Sequence, residues 1–155
     1  MDPACDDGGM TARSLGDGFE LDDDKDRIDL REVHRFLSDE SYWAKGRPLE
    51  VQARLVAEAA RVVGLYRHGR QIGFCRAASD GVSFAYLADV YVLSEYRGRG
   101  LGEKLVREMI AGGPYSDRKW LLHTGDAHAL YRRLGFDTPD FRLMERHPQA
   151  GTGPG

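Results

Sequence analysis

The chain is short of cysteine and has no long apolar run. Its two cysteines, Cys5 and Cys75, are too few for a disulfide framework, and no group of Cys and His has the spacing of metal ligands, so we expect no metal. Free thiols are typical of a reducing compartment, which predicts a cytoplasmic protein. The unbroken apolar runs span only a few residues, so the sequence predicts no membrane-spanning helix and no membrane partner.

The chain also lacks the excess of basic residues that is typical of nucleic-acid-binding domains. It carries 22 Lys and Arg against 25 Asp and Glu, a net charge of −3 at pH 7, so we expect no nucleic-acid partner. The acidic residues concentrate at the start, where residues 1–26 hold nine acidic and two basic side chains. The remainder is therefore mildly basic, which suits an anionic small ligand.

The length and composition predict one domain between two tails. A chain of 155 residues with 41% hydrophobic and 10% aromatic residues has enough apolar side chains for one core. Residues 1–17 are rich in Gly and Asp without a periodic apolar pattern, and they lack the basic start and apolar stretch of a signal peptide. We therefore expect disordered tails at 1–17 and 148–155 and a single domain at 18–147.

The spacing of apolar residues predicts an α/β fold, a mixed sheet with helices on its faces. The predicted order is β-α-α-β-β-β-α-β-α-β. These elements are a strand at 19–22, a helix at 28–38 with Asp29 as N-cap, a helix from Pro48, a hairpin around His68-Gly69-Arg70, a long strand at 83–93, a helix at 101–110, a strand at 119–124, a short helix at 127–134, and closing strands at Phe136 and 141–145. The apolar strand at 83–93 should be central, and residues 84–124 should form a right-handed parallel crossover.

A glycine- and arginine-rich turn follows the long strand. It consists of Arg97, Gly98, Arg99, Gly100, Leu101 and Gly102. Glycines let a backbone approach a ligand closely, and the free N–H groups at a helix start bind anions. We therefore expect this turn to bind a phosphate or pyrophosphate. The Gly-Lys-Ser/Thr of a P-loop and the glycine spacing of a dinucleotide fingerprint are both missing. The other reading is a turn that merely reverses the chain, with its arginines in solvent.

Two motifs in this order resemble the GNAT acetyltransferase superfamily. The run Arg-Gly-Arg-Gly-Leu-Gly at 97–102 resembles that family's Q/R-x-x-G-x-G/A signature, and 127–136 (AHALYRRLGF) resembles its second motif, A-x-x-x-Y-x-x-x-G-F. Residues 89–95 look like the family's fourth strand, and the resemblance covers roughly residues 18–146. Within the superfamily, SYWAKGRP and FAYLADVYVL are similar to a bacterial group of small acetyltransferases. The resemblance implies a mostly antiparallel sheet with one parallel crossover.

The resemblance also implies that the chain binds acetyl-CoA. The turn from Arg97 to Gly102 would bind the pyrophosphate through its backbone N–H groups. The strand at Val90, Tyr91 and Val92 would pair with the pantetheine, which requires the strand at 119–124 to splay away from it. An N–H group near Val92 would polarise the acetyl carbonyl, and the acceptor amine would attack the thioester directly, without a covalent acyl-enzyme.

The candidate catalytic residues are Tyr131 and Asp89. The motif position of Tyr131 implies the general acid that protonates the leaving thiolate, and the alternative is a core tyrosine. Asp89 interrupts an apolar strand, which indicates either a general base or a carboxylate paired with Arg or Lys. Tyr42 and Trp43 are the candidates for contact with the acceptor. They lie between the first two helices, where they either line the acceptor pocket or pack in the core. His128 is a further candidate for contact with the acceptor.

These observations predict an acetyl-CoA-dependent N-acetyltransferase that acts on an amine of a small molecule or peptide. The alternative is a non-catalytic acyl-CoA-binding or regulatory module on the same scaffold. The sequence does not identify the acceptor. It does not give the oligomeric state either, although homodimers are common in the family that it resembles.

Overall fold

The chain folds around one six-stranded sheet. The computed structural model describes residues 12–148. The strands stand in the order β1-β2-β3-β4-β5-β6, with every neighbouring pair antiparallel except β5 and β6, which are parallel. The strands are β1 (Arg13–Gly16), β2 (Phe19–Asp22), β3 (Arg61–Arg67), β4 (Arg70–Ser79), β5 (Phe84–Val92) and β6 (Lys119–Leu122), and the helices are α1 (Leu30–Asp39), α2 (Leu49–Glu58), α3 (Leu101–Ala111) and α4 (His128–Arg133). The predicted mixed α/β sheet with one parallel pair is confirmed.

Strand β1 lies in the segment that the sequence assigned to a disordered tail. Residues 13–16 pair with β2, and Arg13 donates to the buried Glu108 at 2.8 Å. The predicted tail is therefore wrong for these residues, because a four-residue polar edge strand has no apolar alternation for the sequence to reveal. The rest of that segment up to residue 11, and residues 149–155, lie outside the described residues.

The predicted helix start and hairpin are confirmed by local geometry. The side chain of Asp29 accepts a hydrogen bond from the Glu32 N–H at 3.1 Å, which caps α1. Between β3 and β4, His68 and Gly69 have φ angles of +47° and +81°. Two successive positive φ angles match the right-handed twist of a tight hairpin.

Helices cover both faces of the sheet at β5. Phe36 of α1 stacks on Tyr91 of β5, with ring centroids 4.0 Å apart and planes 10° apart. The next residue, Val92, points to the other face, where it approaches Gly102 of α3, and α3 packs across β3, β4 and β5. Successive side chains of a strand point to opposite faces, so Tyr91 and Val92 are buried between α1 and α3. The expected burial on both faces is confirmed at this end of β5 only, because Tyr86, Ala88 and Val90 are half-buried.

One extra residue bends β5. Arg76 of β4 lies opposite Ala88, whereas Phe74 lies opposite Tyr91, so Cys75 faces two residues of β5. Asp89, one of those two, has a φ of +55°. An extra residue in a left-handed conformation is a β-bulge, which bends its strand and increases the local twist. The sequence analysis did not predict this bulge.

The prediction of two closing strands, at Phe136 and at 141–145, is wrong. Among the described residues after α4, 134–148, the structure contains no strand. The side chains of Phe141 and Met144 are 92% and 89% exposed, so this segment does not pack as a sheet strand would. Within residues 12–148, none of the helices has both the length and the hydropathy to cross a bilayer.

The stacked contact between α1 and β5 generates the first prediction. Phe36→Ala should lower the free energy of unfolding by about 3–5 kcal/mol, since it leaves a cavity in a close-packed core. Phe141→Ala is the matched control, and it should change stability by less than about 0.5 kcal/mol because its ring is exposed. Urea unfolding monitored by circular dichroism measures both values, and equal losses would contradict the packing described.

Candidate active site

Strands β5 and β6 separate halfway along β5. Their paired residues run from Phe84 and Lys119 to Leu87 and Leu122, where β6 ends. Strand β5 continues to Val92, and in the described part of the chain no strand pairs with this half of its outer edge. The predicted divergence of the two strands is confirmed. The separation comes directly before the bulge at Asp89, and a cavity of about 950 Å³ opens there.

The glycine- and arginine-rich turn forms one end of this cavity. Gly98 and Gly100 have φ angles of +78° and +73°, which L side chains rarely adopt. The Lys104 N–H makes the first helical hydrogen bond of α3, to the Gly100 carbonyl at 3.2 Å. Within residues 12–148, the backbone N–H groups from Gly98 to Glu103 have no acceptor. Several unpaired N–H groups at the positive end of a helix dipole form an anion-binding site.

The two arginines of this turn differ in position. Arg97 lines the cavity, and its Nε donates to the Val92 carbonyl at 2.9 Å, which ties the turn to the end of β5. The Arg99 guanidinium lies 5.8 Å from the centre of the Tyr96 ring, and its side chain does not line the cavity. Only the backbone of Arg99 therefore belongs to the anion-binding turn.

Tyr131 of α4 borders the cavity from the other side. Its side chain is 8% exposed and its ring packs edge-on against Phe136. In the part of the chain that the structure describes, its hydroxyl has no hydrogen-bond partner. Burial raises the pKa of Tyr131 to about 12, with smaller contributions from nearby acidic groups. The residue thus packs in the core and also presents a protonated hydroxyl to the cavity, so both sequence readings describe part of its position.

Asp89 is a paired carboxylate. Its Oδ2 accepts from Arg76 Nε at 2.6 Å and from Arg47 Nη1 at 2.9 Å, and its Oδ1 accepts from Trp43 Nε1 at 3.1 Å. Burial by itself would raise the pKa of Asp89, but the charges and hydrogen bonds of the two arginines outweigh it and lower the pKa below its usual range. These contacts match the alternative that the sequence left open, and they do not favour a base, because such a carboxylate binds a proton weakly at neutral pH.

Tyr42 and Trp43 form the wall of the cavity opposite the turn. Their rings meet edge-on with centroids 5.0 Å apart, and their side chains are 62% and 42% exposed. The Tyr42 hydroxyl accepts from the Gly125 N–H at 2.9 Å, which joins the α1–α2 loop to the loop after β6. The two aromatic side chains therefore line the cavity rather than pack in the hydrophobic core. His128 is exposed and does not line this cavity.

Several polar residues that line the cavity were not identified from the sequence, among them Arg47, Arg76, Tyr86 and His123. Arg76 interrupts an apolar strand just as Asp89 does, and this shared signal was available in the sequence. His123 follows the carboxyl end of a parallel strand, a common place for functional residues. Its Nδ1 contacts the Tyr86 hydroxyl and its Nε2 contacts Glu145. Across residues 12–148, no group of three or more His, Cys, Asp or Glu is placed to hold a metal ion.

The paired carboxylate generates the second prediction. Asp89→Asn should lower the free energy of unfolding at pH 7 by about 3–5 kcal/mol, because it leaves two buried guanidinium groups without a counter-charge. Asparagine tolerates a positive φ as aspartate does, so the change isolates the charge. The folded-state pKa of Asp89 is depressed, so its contribution is present above pH of about 4 and is lost as the pH falls through that depressed value.

Urea unfolding from pH 7 to pH 3 measures this effect, with the exposed Asp117→Asn as the control. The stability difference between the wild type and Asp89→Asn should narrow toward low pH, while Asp117→Asn stays close to the wild type. A constant difference, or none at pH 7, would contradict a stabilising role for the charge.

Comparison with known proteins agrees with this geometry. A family model for the acetyltransferase (GNAT) domain matches residues 55–138. A solved structure from Xanthomonas campestris, described as belonging to the GNAT family, is 39% identical, with a TM-score of 0.79 over 84% of this chain and 93% of that one. A GNAT family acetyltransferase from Brucella melitensis, solved in complex with acetyl-CoA, is 21% identical with a TM-score of 0.61 over 79% and 84%, so it shares the fold.

A curated relative from the fungus Gibberella zeae, which carries an acetyltransferase name, is 40% identical over 78 residues. That match covers 48% of this chain and 43% of the relative, so the chain matches less than half the length of that protein. The two sequence motifs, the separated strands and the family model all agree. The chain belongs to the GNAT acetyltransferase family.

Proposed function

We propose that the protein transfers an acetyl group from acetyl-CoA directly to an amine of a small molecule or peptide. One observation carries the proposal: a single cavity is bordered by unpaired backbone N–H groups, by an open strand edge and by a protonated tyrosine hydroxyl. These are a diphosphate site, a site for an extended amide chain and a proton donor. Acetyl-CoA has a matching diphosphate, pantetheine and thioester in that order.

The described residues fit the donor along its length. The N–H groups from Gly98 to Glu103 would hold the pyrophosphate at the start of α3. The outer edge of β5 from Ala88 to Val92 offers backbone groups to the pantetheine amides, as an exposed strand edge does for an added strand. A pantetheine on this edge would place the thioester in the cavity beside Tyr131.

The chemistry needs a proton donor and an oxyanion site. The neutral amine nitrogen attacks the thioester carbonyl carbon, the C–S bond breaks, and the thiolate leaves. The extra proton on the nitrogen of the new amide then returns to the tyrosinate that remains once Tyr131 has protonated the thiolate. Tyr131 donates its hydroxyl proton to this thiolate, and the raised pKa of about 12 keeps Tyr131 protonated at neutral pH until that step. The backbone N–H near Val92 would stabilise the carbonyl oxygen as negative charge develops on it.

The acceptor ammonium must first lose a proton, and Asp89 is badly suited to take it. We therefore assign this step to Tyr86, His123 and Glu145 instead. Tyr86 and His123 line the cavity and contact each other, and Glu145 lies on the other ring nitrogen of His123. Tyr86 passes its hydroxyl proton to His123 as it accepts one from the ammonium, and the Glu145 carboxylate stabilises the imidazolium that results.

The proposal is tested by calorimetry with acetyl-CoA and by release of free CoA thiol across a panel of amines. We expect saturable binding and acceptor-dependent thiol release. Binding without any release would favour the non-catalytic acyl-CoA module, and no binding at high micromolar acetyl-CoA would contradict the proposal.

The third prediction concerns the proton donor. Tyr131→Phe should lower kcat by about 10²–10⁴-fold, the usual contribution of a positioned general acid, while the affinity for acetyl-CoA stays within a few-fold. Stopped-flow thiol release and calorimetry measure the two quantities. Tyr115→Phe is the matched control, because Tyr115 lies outside the cavity, and it should keep the wild-type rate. Full activity of Tyr131→Phe would exclude it as the acid.

The fourth prediction concerns the proton acceptor. His123→Gln should lower kcat/KM by at least about tenfold near pH 6.5 and leave acetyl-CoA affinity unchanged, since only the deprotonation of the amine is affected. The deficit should shrink at high pH, where the free amine is abundant without a base. The pH profile of kcat/KM measures this, with His68→Gln, exposed and outside the cavity, as control. A deficit that does not change with pH would argue for a structural role.

A further inference from the structure

Two arginines share one carboxylate at the acceptor end of the cavity. We call Arg47 and Arg76 the arginine pair. Both donate to Asp89 Oδ2, and their side chains are 11% and 14% exposed. Both also line the cavity. The pair is therefore largely buried, yet it remains in reach of a molecule that enters the cavity.

The charge of the arginine pair is only half neutralised. A guanidinium stays protonated in proteins, so the pair carries two positive charges against the single negative charge of Asp89. Three further carboxylates lie near this wall. Glu40 is half exposed and pairs with Arg35 at 3.3 Å, Glu145 contacts His123, and Asp126 is exposed to solvent. A buried charge without a partner is costly, so this part of the cavity favours an incoming anion.

The pair also has donors left over. Arg76 uses only its Nε, and Arg47 uses only its Nη1, which bonds both Asp89 and Gln52. Within residues 12–148, the remaining guanidinium N–H groups of the pair have no acceptor. The planar fork of a guanidinium matches the paired oxygens of a carboxylate or phosphate. Both Nη groups of Arg76 are available for such a contact.

The pair is separate from the site proposed for the donor's phosphates. Val92 ends β5 three residues after Asp89, roughly 10 Å further along an extended strand, and the turn with the unpaired N–H groups comes after it. Trp43 donates to the same Asp89, so the arginine pair adjoins the aromatic wall. The pair thus faces the space left for the acceptor.

We propose that the arginine pair binds an anionic oxygen group of the acceptor, so that the substrate is an amine bearing a carboxylate or a phosphate a few bonds from its nitrogen. This inference rests on the proposed acetyl transfer. It narrows the substrate class to anionic amines, and it makes neutral amines and polycationic amines poor acceptors. The aromatic wall of Tyr42 and Trp43 then contacts the apolar part of the same molecule.

Matched acceptors test the proposal. Phenylalanine is compared with phenylalaninamide for the carboxylate, and phosphoethanolamine with ethanolamine for the phosphate. We expect kcat/KM to be at least about tenfold higher for the anionic member of one pair, the size of a charge-assisted contact. The pair of acceptors whose two members differ in kcat/KM shows whether the site binds a carboxylate or a phosphate. Equal or higher kcat/KM for both neutral members would overturn the proposal.

Variants assign the preference to the arginine pair. Arg76→Gln should raise KM for the anionic acceptor at least about tenfold more than it raises KM for the neutral one. Arg76→Lys keeps the charge without the fork, and it should give an intermediate loss even if Arg76→Gln folds poorly. The exposed Arg54→Gln is the control. An anionic preference that survives both Arg76 variants would overturn the assignment to Arg76.

A binding measurement separates this inference from the proposed function. Calorimetry with acetyl-CoA is run first, and its failure would reject acetyl transfer itself. If acetyl-CoA binds but no acceptor reacts, titration of phosphoethanolamine and of phenylalanine into the protein saturated with CoA decides the matter. Saturable binding that Arg76→Lys weakens supports the anion site, whereas no binding of either ligand overturns it.

Discussion

The ionic contacts of Asp89 are the constraint on which the site depends. Its positive φ places an extra residue in β5, a conformation that costs roughly 1–2 kcal/mol for a residue with a side chain. Arg47, Arg76 and Trp43 hold the carboxylate in place and offset that cost. Three elements, the α1–α2 loop, β4 and β5, are thereby joined at one buried point. Because the bulge bends β5 where its pairing with β6 ends, the same contacts keep the cavity open.

The rest of the site follows from this divergence. Within residues 12–148, the second half of β5 has no neighbouring strand on its outer edge, so its backbone groups can pair with an extended ligand, and the N–H groups of the turn that follows can bind an anion. Arg97 joins the two through the Val92 carbonyl, so the strand edge and the turn keep a fixed relation. Tyr131 approaches from α4 on the far side of the gap. In the proposed mechanism, donor binding and proton donation therefore depend on the separation of β5 and β6 at one end of the sheet.

The parts that could be predicted from the sequence are those with a local signal. Asp29 capped its helix, the turn at His68 and Gly69 formed its hairpin, and the two motifs identified the family. The bulge at Asp89 left no such signal, because it depends on partners far away in the chain. The polar strand β1 was not predicted because it has no apolar alternation, and the closing strands were predicted from apolar residues such as Phe141 that lie exposed. Asp89 itself was identified as unusual, but its arginine partners decide its role.

A crystal structure of the protein with CoA would show where the diphosphate and the pantetheine lie. We expect the diphosphate on the N–H groups from Gly98 to Glu103 and the pantetheine along β5 from Ala88 to Val92. The bulge and the three contacts of Asp89 should stay as they are. CoA bound elsewhere, or β6 paired with β5 along its whole length, would overturn the proposed donor site.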